Sequence, residues 1–341
     1  MALLSPPLPE RAAHRSKTLK RHSRLSVFGG SERQIQALAH VSEGVATSKK
    51  AAQRTTILAT HPAQRLGFPA INRLKWEGKP MATIQANGID INYRLDGPQE
   101  APMVSLSNSL MSNYSMWDAQ MPALTEKYRV LRYDMRGHGA TEVTPGPYSI
   151  ELLVDDVHAL HQALDIPRTH FVGLSMGGMI GQLLAVKYPD LPLSITLCDT
   201  TSNMPHKSMW DDRISAARAD GMGALVEGTL ERWFTAAMHQ REPDEIARIR
   251  EMILGTSVEG FCASCHAIKE MDQTGILSKV TIPTMIVVGA DDPATTPEMS
   301  RVIQAEISGS ELVILPEAAH LSNIEQAEAF NSVLLDFLAR A

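Results

Sequence analysis

Phe171-Val172-Gly173-Leu174-Ser175-Met176-Gly177-Gly178 places a serine between two glycines at Gly-x-Ser-x-Gly spacing. The apolar run Phe171–Leu174 reads as a short buried strand, and Met176–Tyr188 reads as a helix with small residues near its start. A strand that turns at once into a helix leaves no room for side chains two residues before and two residues after the turn. Such a turn lifts the Ser175 hydroxyl to the top of the sheet, at the amino end of the helix. A serine hydroxyl is a weak nucleophile at neutral pH and needs a base, which in turn needs an orienting acid. In chains built around this elbow, the acid and then the histidine follow the serine. Val287-Val288-Gly289-Ala290-Asp291-Asp292-Pro293 offers the acid, and Pro316-Glu317-Ala318-Ala319-His320 offers the base, each after a predicted strand. Strand ends deliver residues to the carboxyl edge of an open α/β sheet, where its ligand crevice lies.

The surrounding chain alternates strand and helix. Thr83–Ala86 and Ile89–Arg94 flank Asn87-Gly88, a strong hairpin signal. Met103–Leu106, Arg129–Tyr133, Leu193–Leu197, Met285–Val288 and Leu312–Leu315 read as strands. Met116–Lys127 is amphipathic, Ile150–Leu164 places its leucines on one helical face, and Ile324–Leu338 is a closing amphipathic helix. The pattern predicts an α/β fold: a mostly parallel sheet covered on both faces, with an antiparallel hairpin at its start. Residues from about Pro205 to Gln273 read as helical throughout, which predicts a lid inserted over the carboxyl edge of the sheet.

The 341 residues are 44% apolar and 21% charged with a net charge of −6, which excludes a general nucleic-acid binder. No run approaches the roughly 18 apolar residues of a spanning helix. Cys198, Cys262 and Cys265 are too few for a disulfide scaffold, so a reduced cytoplasm is the expected location. The average charge hides two populations. Residues 1–80 carry 14 Lys and Arg against 4 Glu, a net of +10, and residues 81–341 carry a net of −16. The first segment lacks sustained periodicity apart from a weak helical stretch around Gln34–Val45, and is expected to be a disordered extension to a hydrolytic domain at 81–341. It has three readings: an organelle transit peptide, a basic tail that meets anionic partners, or a mis-called start. Met81-Ala82-Thr83-Ile84-Gln85 reads as a fresh start, and Trp76-Glu77-Gly78 can encode a ribosome-binding site just upstream.

Gly173-Leu174-Ser175-Met176-Gly177-Gly178, together with Tyr133-Asp134-Met135-Arg136-Gly137-His138-Gly139, resembles the α/β-hydrolase fold over nearly all of residues 81–341. Ser107-Asn108-Ser109-Leu110, Met116-Trp117-Asp118, Glu231-Arg232-Trp233-Phe234-Thr235 and Ala319-His320-Leu321-Ser322-Asn323-Ile324-Glu325-Gln326 are similar to the 3-oxoadipate enol-lactonases of aromatic-compound breakdown. The resemblance implies Ser175 as nucleophile, Asp292 as acid and His320 as base. Asp291 is the adjacent rival, and Asp199 is a less favoured stand-in after another strand. It also implies an oxyanion hole made by the backbone N–H groups of Leu110 and Met176. Many relatives carry His-Gly where this chain has Asn108-Ser109, a departure shared with enol-lactonases. The implied reaction is hydrolysis of a small lactone or ester through an acyl-enzyme, with no metal, organic cofactor, nucleic acid or membrane. The alternatives are a general carboxylesterase, a hydrolase of carbon–carbon bonds, and a small-molecule receptor on the same fold. A haloalkane dehalogenase is disfavoured, because it needs an aspartate where Ser175 stands.

The implied substrate bears a free carboxylate, for which Arg213, Arg232 and Lys269 are candidate partners. Trp210 and Trp233 are candidates for the pocket wall. Methionines of the lid suit an adaptable apolar lining. Cys262-Ala263-Ser264-Cys265-His266 fits the c-type haem attachment pattern, but haem attachment needs export, and the motif falls in a predicted lid helix. Asp134, Arg136 and His138 read as braces of a turn rather than as catalytic groups.

Overall fold

The computed structural model describes residues 53–58 and 80–341. The strands are β1 (Arg54–Ile57), β2 (Ala82–Ala86), β3 (Ile89–Asp96), β4 (Met103–Ser107), β5 (Arg129–Tyr133), β6 (Thr169–Leu174), β7 (Pro192–Cys198), β8 (Thr284–Gly289) and β9 (Glu311–Leu315). They form one sheet in the order β1-β9-β8-β7-β6-β4-β5-β3-β2. Only the hairpin pair β2–β3 and its junction β3–β5 run antiparallel. Asn87 and Gly88, both at positive φ, turn the hairpin as its Asn-Gly signal predicts. Every residue of β6 and β8 is buried, as expected of parallel strands covered on both faces.

The helices are α1 (Met121–Leu124), α2 (Ile150–Ala163), α3 (Met176–Lys187), α4 (Lys207–Asp220), α5 (Val226–Trp233), α6 (Ala236–Arg241), α7 (Pro243–Leu254), α8 (Val258–Glu270), α9 (Pro297–Glu306), α10 (Ser322–Glu325) and α11 (Ala327–Leu338). Helices α4 to α8 fill the connection between β7 and β8. Its two ends meet in an antiparallel bridge, Asn203 to Asp272. The sheet order places the functional crevice. The chain leaves β4 toward β5 on one side and returns to β6 on the other, so the crossovers diverge above the carboxyl ends of β4 and β6. Ser175 follows the end of β6 directly, and Ser109–Leu110 come one residue beyond the end of β4.

Three expectations need correction. Residues 53–58, read as part of a disordered basic extension, instead form the sheet edge. Strand β1 lies parallel to β9, with Leu58 N–H donating to the Ile314 carbonyl at 3.3 Å. All four β1 residues are exposed, so no alternation of apolar residues announced the strand; backbone pairing with β9 makes it. The Gln34–Val45 stretch and the rest of residues 1–52 and 59–79 lie outside the described residues. Met116–Lys127 is not one helix but a 3₁₀ turn over Tyr114–Gln120 followed by α1. Pro122 lacks an N–H, and its ring would clash with the carbonyl of Asp118 in a continuous α-helix. The closing helix likewise breaks at Gln326 (φ −121°, ψ 50°), giving α10 and α11. Helix α9 was not expected from the sequence, although Thr296 and Pro297 mark its start.

Candidate active site

Ser175 sits between β6 and α3 at φ 55°, ψ −112°, a conformation rarely adopted by a residue with a side chain. The flanking glycines make this turn possible. A Cβ on Gly173 would stand 2.1 Å from the Gly177 carbonyl oxygen, and one on Gly177 would stand 2.3 Å from the Ser107 carbonyl oxygen. Both obstacles are backbone and cannot swing aside. Gly173→Ala is therefore expected to destabilise the fold by about 3 kcal/mol or more. Urea unfolding of the purified variant measures it.

The elbow aims Ser175 into a cavity of about 320 Å³ that His320 also lines. The His320 Nδ1 lies 2.9 Å from Asp292 Oδ2. Asp292 is held in turn by the loop after it: its Oδ1 accepts from Ala294 N and Thr295 N, and its Oδ2 accepts from Thr295 Oγ1. Burial works against the charged form of Asp292. The neighbouring His320 and the Thr295 hydrogen bonds outweigh it and hold the carboxyl below the usual carboxylate range. Ser175 and His320 share the cavity wall without a hydrogen bond between them among the described residues.

Of the rival acids, Asp291 is exposed. Asp199 is fully buried and engaged elsewhere, accepting from Gly289 N at 2.8 Å and from Ser322 Oγ at 2.5 Å. Burial first, and then the charge of Asp292, push Asp199 well above the usual carboxylate range. Asp134 accepts from Asn92, Tyr114 and Ala140, Arg136 pairs with Asp156, and His138 bonds the Arg136 carbonyl, so the three brace a turn.

Leu110 lines the same cavity as Ser175, and Met176 follows Ser175 at the start of α3; the backbone N–H of neither has a partner among the described residues. Asn108 holds their two loops together: its carbonyl accepts from Gly177 N, and its side chain bonds Trp117 Nε1 and the Tyr133 carbonyl. The helical insertion supplies the opposite wall. Trp210, Arg213, Arg232 and Trp233 all line the cavity, and the Trp233 ring lies 6.5 Å from that of His320. Arg213 is packed between Trp210 and Phe261, with ring centroids at 5.0 and 5.6 Å. Its Nε has no partner, and neither Arg213 nor Arg232 forms a salt bridge among the described residues. Burial lowers both guanidinium pKa values, that of Arg213 to about 10. Lys269 does not join them; it pairs with Asp211 at 2.7 Å. Met111, Met179, Met204, Met209 and Met299 complete much of the apolar lining.

Sequence reasoning missed Thr295, which touches both Asp292 and His320. Its signal was local: a threonine three residues after an aspartate is placed to donate back to it in a tight turn. Cys262 and Cys265 are buried in α8, and burial pushes the Cys265 thiol up to about 12. A more open cavity of about 580 Å³ lies between the carboxyl ends of α2 and α3, and neither Ser175 nor His320 reaches it.

Residues 106–327 match the family pattern of the alpha/beta hydrolase fold. The protein belongs to the α/β-hydrolase family. The hydrolase is 35% identical over 249 residues to 3-oxoadipate enol-lactonase 2 of Acinetobacter baylyi, covering 73% of this chain and 93% of that relative. It superposes on the crystal structure of the enol-lactonase from Burkholderia xenovorans with a TM-score of 0.74 and 41% identity, over 76% of this chain and all of that one. A thermophilic esterase from Thermogutta terrifontis is a further structural neighbour, with a TM-score of 0.73 and 28% identity over 77% of this chain and 99% of its own. These relatives make the hydrolase an enzyme. Among its described residues, no helix is long and apolar enough to cross a membrane.

Proposed function

We propose that the hydrolase opens 3-oxoadipate enol-lactone to 3-oxoadipate, through an acyl-enzyme on Ser175, in the breakdown of aromatic compounds. The observation that carries the reading is Arg213. A guanidinium packed between aromatic rings in the cavity of Ser175 and His320, with no carboxylate partner among the described residues, calls for an anionic ligand. The enol-lactone brings one carboxylate. Arg232, on the same wall, offers a second donor to it.

In this mechanism His320 donates Nδ1–H to Asp292, which leaves Nε2 free to accept the Ser175 proton as the oxygen attacks the lactone carbonyl. The N–H groups of Leu110 and Met176 stabilise the resulting oxyanion, at about 3–4 kcal/mol for each donor. Collapse expels the enolate oxygen, which His320 protonates. The enol then becomes a ketone, which draws the step forward. Water, deprotonated by His320, attacks the acyl-enzyme and releases the acid. The chemistry needs no metal and no organic cofactor.

Ultraviolet loss of freshly generated enol-lactone tests the reading. Rapid loss supports it. Hydrolysis of aryl esters without lactone loss would discard the substrate and leave a general carboxylesterase. Arg213→Met separates the carboxylate subsite from the chemistry. It is expected to lower kcat/KM on the lactone by about 10–100-fold, the range of a hydrogen bond to a charged group. Its kcat/KM on a neutral aryl acetate should stay within about threefold of wild type.

A further inference from the structure

The stretch Ala319–Gln326 contains a carboxylate that the reaction does not use. Glu325 is 2% exposed and lies at the end of α10. It accepts three donors from two separate parts of the chain. From the helical insertion come Thr235 N, at 3.1 Å, and the Thr235 hydroxyl. From the loop that carries His320 comes Ala319 N, at 2.9 Å. On the other side of the histidine, Leu321 N donates to the Trp233 carbonyl at 3.1 Å. Both residues that flank His320 are therefore tied to the junction between α5 and α6. At that junction the end of α5 faces the cavity, through Arg232 and Trp233.

We propose that Glu325 is a positioning residue that locks the substrate-facing end of the helical insertion to the loop of His320, so that the cavity wall and the base keep one register. Geometry shows why a carboxylate serves here. Oε1 faces Thr235 and Oε2 faces Ala319, so both ends of the group must accept. A glutamine accepts at one end only and turns its NH₂ toward a backbone N–H at the other. Arg241 steadies the same residue by donating to the Glu325 carbonyl at 3.3 Å.

The inference rests on His320 as base and on the lactone as substrate, and the test separates the three. Full-length wild type, Glu325→Gln and Glu325→Asp are assayed on the enol-lactone and on p-nitrophenyl acetate. Reactive sites are first counted with an organophosphonate, so that rates refer to folded, competent enzyme. Displacing a catalytic group by about 1 Å can cost on the order of 100-fold. Per reactive site, E325Q is expected to lose about 10–100-fold in kcat on both substrates. Its KM should rise about fivefold or more on the lactone alone, because only the lactone carboxylate uses Arg232. E325D keeps two acceptors one methylene short and should fall between. A merely structural role would lower the melting temperature and the count of reactive sites but leave per-site kcat and KM within about twofold, and that result overturns the proposal. If E325Q does not fold, E325D decides on the same criteria. Failure of wild type on the lactone would instead remove the substrate reading, with the aryl-ester kcat ratios still testing Glu325.

Discussion

Ser175→Ala is expected to reduce kcat on the lactone and on aryl esters by about a millionfold, the loss seen when the nucleophile of such a machine is removed. The variant should fold as wild type does. The strained backbone at φ 55° is imposed by the close approach of β6 and α3 at Gly173 and Gly177, and alanine carries the same strain as serine there. The cavity, the free N–H groups of Leu110 and Met176, and Arg213 remain, so the variant should bind the lactone with near wild-type affinity. Single-turnover kinetics together with equilibrium binding check both halves. A residual rate of about 10³-fold or more over water would come from the oxyanion donors and binding alone. Turnover within about a hundredfold of wild type would remove Ser175 as the nucleophile and favour direct attack by water.

The elbow was legible because it is a steric statement made by adjacent residues: Gly173 and Gly177 are required wherever a strand reverses into a helix in so short a space. The buried strands were legible for a similar reason, since each carries its own apolar run. Strand β1 carries none; its residues are exposed, and only the open edge of β9 makes it a strand. The break before α1 was written in Pro122, yet the apolar spacing of Met116–Lys127 masked it. The proposed carboxylate subsite was less legible. Arg213, Arg232 and Lys269 look equivalent in sequence, because what distinguishes them is a partner on another helix. Lys269 of α8 finds Asp211 of α4, whereas Arg213 of α4 meets Trp210, Phe261 and the sulfur of Met111. Asp291 and Asp292 are adjacent rivals in the sequence, and what distinguishes them is the backbone turn that follows. The turn from Asp292 to Thr295 folds one carboxylate inward, against His320, and leaves its neighbour in water.

That turn makes Asp292→Asn the sharper probe of the proposed base. Asparagine keeps the size of the side chain but has one acceptor where aspartate has two. Ala294 N and Thr295 N, at 2.8 and 3.0 Å, both donate to Oδ1, so the amide oxygen is fixed on that side. The NH₂ group then points where Oδ2 stood, at His320 Nδ1. There it donates, and Nδ1 must accept. The ring proton moves to Nε2, and the nitrogen facing Ser175 can no longer take a proton. The fold should survive, because the loop keeps its two backbone anchors. The expected result is a loss of about 10⁴-fold in kcat at neutral pH, the cost of holding the histidine in the wrong tautomer. The melting temperature should shift far less than activity does. Asp199 is not placed to take over, since Gly289 and Ser322 already engage both of its oxygens. Steady-state kinetics with a thermal melt test this. A loss below about tenfold would mean that the imidazole does not depend on Asp292 for its tautomer. The double variant Asp199→Asn with Asp292→Asn would then show whether Asp199 had swung across to replace it.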